Sequence, residues 1–137
     1  MTLLLASLLA MAPAQAVEPV SEDIHSIRKG AVEMCGFSAP DVVSYEATVR
    51  ASDGWEELNG TPGYTAVAIT ESRAVITFTT PENRTFPAAV CREVVAAEGG
   101  GSTIRMHMVC DSDRESCDWL FREFEALNKR IFDDLEK

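Results

Sequence analysis

The chain has 137 residues, an apolar fraction of 46% and a charged fraction of 25%, which suits one globular domain and excludes wholesale disorder. Its 12 basic residues face 22 acidic ones, a net charge of -10. There is thus no basic footprint for a nucleic acid, an anionic membrane surface would repel the chain, and a cationic protein would be drawn to it.

Residues 1–16 contain no charged side chain. The apolar run Leu3 to Ala12 is followed by Pro13 and then Ala14-Gln15-Ala16. Small residues at the -3 and -1 positions predict signal-peptide cleavage before Val17. Ten apolar residues rise only about 15 Å as a helix, half of a bilayer core, so no membrane anchor is expected after cleavage. Residues 17–137 are expected to form one α+β domain, periplasmic or secreted.

In the mature chain, Ser21-Glu22-Asp23 reads as a helix start. Ile24, Ile27, Ala31, Met34 and Cys35 follow at helical spacing, and Gly36 closes the element. After the break at Ser38 to Asp41, Val43, Tyr45, Ala47 and Val49 alternate with Ser44, Glu46, Thr48 and Arg50, the pattern of a half-buried strand. Ala51 to Gly63 has three glycines and a proline and reads as irregular. Tyr64 to Thr70 and Arg73 to Thr80 are β-branched runs, expected to pair as a hairpin turning at Glu71-Ser72.

Thr85 then reads as the cap of a second helix, with Pro87 in its first turn. Phe86, Ala89, Val90, Val94 and Val95 form its apolar face, and Gly99-Gly100-Gly101 stops it. A strand from Thr103 to Cys110 follows. In the last helix, Ser112 and Glu115 form a capping-box pattern. Cys117, Leu120, Phe124, Leu127, Ile131 and Leu135 give that helix a stripe at three- and four-residue steps. The expected order is α-β-β-β-α-β-α, with helices covering one face of an antiparallel-rich, four-stranded sheet.

An even number of cysteines in an exported chain predicts two disulfides. Of the three possible pairings, Cys110-Cys117 is favoured, because a strand end and the first turn of the following helix come within disulfide range. Cys35-Cys91 follows by exclusion. Without C-x-x-C, and with His25 and His107 in no ligand spacing to the cysteines, neither zinc nor a redox-active thiol pair is expected. Met106 and Met108 read as core filler, with His107 on the opposite strand face, rather than as a copper site. Asp111 to Arg122 begins like a calcium loop but has Ser116 in place of glycine and Arg122 in place of glutamate. The triple glycine follows a helix instead of opening one, the wrong order for a phosphate cradle. No cofactor or metal is therefore expected.

Nucleophilic chemistry has little material. There is no G-x-S-x-G, and no serine or carboxylate can be assigned to His107. The best surface candidate is the stretch Ala51 to Tyr64, where Trp55 and Tyr64 stand among Asp53, Glu56 and Glu57. Aromatics in an acidic setting suit contact with a basic protein. The competing reading folds Trp55 back over a sheet edge as core. Charge, size and export together lead to a non-enzymatic binding or interaction protein of the bacterial envelope, of inhibitor or immunity type. The alternatives are a small periplasmic hydrolase whose site the sequence does not mark and a structural envelope protein.

Overall fold

The structure is a computed structural model and describes residues 24–27 and 30–135. The expected signal peptide, residues 1–16, lies outside the described residues. The elements are β1 (Ile24–Ile27), β2 (Val32–Met34), β3 (Phe37–Ala39), α1 (Val42–Arg50), β4 (Trp55–Leu58), β5 (Tyr64–Ile69), β6 (Ala74–Thr79), β7 (Ala88–Ala96), β8 (Ser102–Cys110) and α2 (Arg114–Leu135). The protein is α+β with two disulfides, Cys35–Cys91 and Cys110–Cys117. Both pairings are those expected.

Strands β4 to β8 form an antiparallel meander in chain order, and β1 adds parallel to β8 at the far edge. Strands β2 and β3 make a separate hairpin. Two apolar clusters form on opposite faces of the large sheet. One joins α1 and the β2–β3 hairpin to Val67, Ile76, Phe78, Ala89, Cys91 and Val109. The other joins Cys117, Leu120 and Phe124 of α2 to Ala88, Val90, Met106, Met108 and Cys110. The helices therefore sandwich a sheet of six strands; they do not share one face of a four-stranded sheet.

The element order corrects the sequence reading in four places, each for a physical reason. The first is the predicted helix through Ser21 to Cys35. Its described part forms β1 and β2, and Cys35 and Gly36 make a two-residue turn into β3. Their φ values of 52 and 83 match the positive φ that a type I′ turn requires, so Gly36 serves a hairpin. Val32 and Met34 are buried while Glu33 is exposed, a period of two that three residues are too few to announce.

The second is the predicted strand Val43 to Arg50, which is helix α1. Its buried residues are Val42, Tyr45 and Val49. Tyr45 and Val49 satisfy both periods, but Val43, which a strand would bury, is 61% exposed. Asp41, read as a chain break, is the N-cap: its carboxylate accepts from the Ser44 N–H at 2.7 Å. That cap and the buried Tyr45 hydroxyl, which donates to the Met34 carbonyl at 2.7 Å, outweigh the β-branched composition.

The third is the predicted helix after Thr85, which is strand β7. It lies between β6 and β8 with Ala89 and Cys91 in one core and Ala88 and Val90 in the other. Its first four residues are buried on both sides and show no wet face, so its apolar positions also fit a helical template. Asn83, rather than Thr85, organises the preceding turn; its side-chain oxygen accepts from the Thr85 N–H at 3.0 Å. The triple glycine joins β7 to β8. The fourth correction is the irregular stretch Ala51 to Gly63, which contains the edge strand β4.

The hairpin β5–β6, strand β8 and helix α2 match the sequence reading, with small shifts. The β5–β6 turn spans residues 70–73, with Arg73 at φ 48. Helix α2 is capped one residue later than expected: Asp113 accepts from the Ser116 N–H at 2.9 Å, and the Ser112 hydroxyl donates to the Arg84 carbonyl at 3.1 Å. Among the described residues, no helix is long and apolar enough to cross a membrane.

Candidate functional site

Among the described residues, strand β4 pairs with β5 alone and leaves its other side open. Because the Thr70 N–H donates to the Gly54 carbonyl at 2.9 Å, Glu56 and Leu58 continue the ladder to β5. The main-chain groups of Trp55 and Glu57 alternate with them and face outward. Gly60 closes the turn into β5. A Cβ there would lie 2.5 Å from the Tyr64 carbonyl oxygen, so no other residue fits.

The five residues singled out in this stretch divide three ways. Trp55 is partly buried against the α1-side core, and its indole N–H donates to the Ser52 carbonyl at 2.9 Å. Glu57 grips Arg50 through both carboxylate oxygens. Arg50 also pairs with Glu46 at 3.1 Å and lies 5.3 Å from the Trp55 ring centroid and 5.8 Å from that of Phe78. Its guanidinium thus clamps β4 to α1, and the hydrogen bonds it donates to Glu57 raise its pKa above the ordinary value. Asp53 and Glu56 are exposed, Glu56 on the sheet face opposite Trp55. Tyr64 packs beside the α2-side core and meets Phe124 edge-on at 6.3 Å between centroids. The five do not form one surface.

Tyr64 instead lines a cleft of about 260 Å³ between the sheet and the C-terminal half of α2. Ala66, Thr77 and Arg92 form its sheet side, Phe124 and Leu127 its helix side, and residues 59–61 one end; Glu123 and Arg130 also line it. Arg92 is the residue that sequence reasoning missed. Its guanidinium carbon sits 5.4 Å from the Phe124 ring centroid, and its Nε is buried without a hydrogen-bond partner. Burial lowers its pKa below the ordinary guanidinium value. The signal was present in the sequence: a lone arginine-glutamate pair inside Ala88-Ala-Val-Cys-Arg-Glu-Val-Val-Ala-Ala97.

The other chemistry-bearing residues are dispersed. His107 lies opposite Cys91 on β8, and no hydrogen bond joins it to a serine or carboxylate among the described residues. Cys35, Cys91 and Glu93 form the one group within metal-binding distance among the described residues, but both sulfurs are bound to each other. The Asp113 carboxylate is engaged as the cap of α2. No family model, curated protein or solved structure matches this chain.

Proposed function

We propose that the chain is an exported, non-enzymatic binding protein of the bacterial envelope that engages an extended segment of a basic protein along the open side of β4. The observation that carries this reading is the unpaired outer edge of β4. An edge strand presents a row of main-chain donors and acceptors that an incoming strand can satisfy. Asp53 and Glu56 are exposed beside it, and Leu58 is 36% exposed. The net charge of -10 favours a cationic segment and disfavours pairing of two copies. Two disulfides suit an oxidising compartment such as the periplasm.

Capture from an envelope extract at low and high salt tests the proposal. A basic protein should be retained at low salt and released at high salt. The double substitution Asp53→Lys with Glu56→Lys, at two exposed positions, should abolish retention without unfolding the domain. Retention that survives this charge reversal would remove the β4 edge as the docking site.

A further inference from the structure

The cleft beneath α2 contains a cation with nothing to pair with. Arg92 joins no ion pair among the described residues, although the chain has 22 acidic residues to 12 basic ones. Glu123 lines the same cleft, yet it does not reach Arg92. The guanidinium carbon lies 5.4 Å from the Phe124 ring centroid, within cation–π range, and a guanidinium fork suits a planar acceptor. Its Nε–H is shut off from water as well as from protein acceptors. Because Nε is closed to solvent, the groups that meet a ligand in the cleft are the terminal Nη N–H groups of the same guanidinium.

The surroundings define what would fill it. Phe124, Leu127 and the Tyr64 ring offer an apolar wall. The charges lining the cleft are Arg92, Arg130 and Glu123, a net of one positive charge, which balances a monoanion and not a dianion. The volume, about 260 Å³, lies near the lower end for ligand pockets. We infer that the cleft between β5–β7 and the C-terminal half of α2 binds a small carboxylate with an apolar body, its carboxylate forked on Arg92 and its hydrocarbon against Tyr64 and Leu127. This site lies on the sheet face opposite Trp55 and the Arg50 clamp.

Titration of the oxidised protein, followed by backbone amide shifts in NMR, tests the assignment with sodium octanoate, octan-1-ol and inorganic phosphate as probes. Octanoate should saturate shifts at Tyr64, Thr77 and Leu127 with a Kd on the order of 1 mM. Octanol should bind at least roughly tenfold more weakly, because it cannot make the charge-assisted fork. Arg92→Leu should weaken octanoate by roughly tenfold or more while leaving the protein folded, since it replaces an unpaired buried cation with an apolar side chain. Leu127→Trp should block octanoate with Arg92 still in place. The inference is overturned if octanol matches octanoate or if either variant keeps wild-type affinity. It is equally overturned if phosphate saturates in place of octanoate or if no probe saturates.

Discussion

The Cys35–Cys91 bridge should contribute more stability than Cys110–Cys117, and by a margin that can be measured. The first bridge spans a sequence separation of 56 and encloses β3, α1, β4, β5 and β6; the second spans 7. Closing these loops in the unfolded chain gives about 4.2 and about 2.4 kcal/mol respectively on the chain-entropy relation. Truncation to alanine adds a packing loss to each. It is larger for the short loop, because Cys110 and Cys117 are both fully buried whereas Cys35 is only partly so. The net margin is therefore about 1–1.5 kcal/mol. Urea unfolding of Cys35→Ala/Cys91→Ala and Cys110→Ala/Cys117→Ala would read it. With a slope of about 1.5 kcal/mol/M the two midpoints should differ by about 1 M. The slope itself should rise more in the first variant, whose unfolded chain is released further. If the Cys110/Cys117 variant unfolds at an equal or lower urea concentration, loop closure is not what these bridges supply.

Gly60→Ala should cost about 1–3 kcal/mol, because the added methyl meets the Tyr64 carbonyl oxygen and the β4–β5 turn must shift; thermal melting would show it, and an unchanged Tm would disprove the close approach. Tyr45→Phe leaves the buried Met34 carbonyl without its donor and should cost about 1–3 kcal/mol in urea unfolding. The side-chain and backbone hydrogen bonds of Ser44 hold the Asp41 carboxyl below the ordinary aspartate value of 3.8, and the backbone and side-chain bonds of Ser116 do the same for Asp113. A folded-state pKa below the unfolded one means stability present above the unfolded value and lost as pH falls through the folded one. Tm should therefore decline as pH drops below 3.8, and Asp41→Asn with Asp113→Asn should flatten that limb; an unchanged slope would show that the two caps do not titrate with folding.

The sequence was most legible where one surface of an element meets water. Helix α2 shows its apolar stripe because its outer side is charged, and β5–β6 was marked by β-branched runs. Both disulfides followed from the place of Cys110 and Cys117 around the β8–α2 join. Legibility failed where burial removed the contrast or where a short element gave too few positions. The first four residues of β7 are apolar and buried on both faces, so a period of two could not be told from 3.6. Helix α1 has nine residues, and Tyr45 and Val49 satisfy either period; only Asp41, as a cap, would have decided it. The β2–β3 hairpin has three-residue strands and depends on a turn containing Cys35 at positive φ, which cysteine rarely adopts. The candidate site suffered likewise. Trp55 and Tyr64 are nine positions apart in one acidic stretch, but β4 and β5 turn them to opposite faces, and neighbourhood in sequence became separation across a sheet.

That separation gives the two faces of the same strands different work. On the α1 side, Arg50 is satisfied by Glu46 and Glu57 and stacked on Trp55 and Phe78; charge there is spent in holding β4 in place. One residue before Phe78, Thr77 faces the other way, into the cleft where Arg92 meets no carboxylate among the described residues. Both disulfides lie at the far half of the sheet, through Cys91 of β7 and Cys110 of β8, so no covalent tie reaches β4 or β5. Segments that bind are drawn from the less constrained parts of a fold. The crosslinked half, with β7, β8 and the first turn of α2, supplies rigidity. The cleft runs from Tyr64 of β5 to Arg92 of the crosslinked strand β7, and the open edge lies at β4; among the described residues these two places keep the cation without a carboxylate and the main-chain groups without a neighbouring strand.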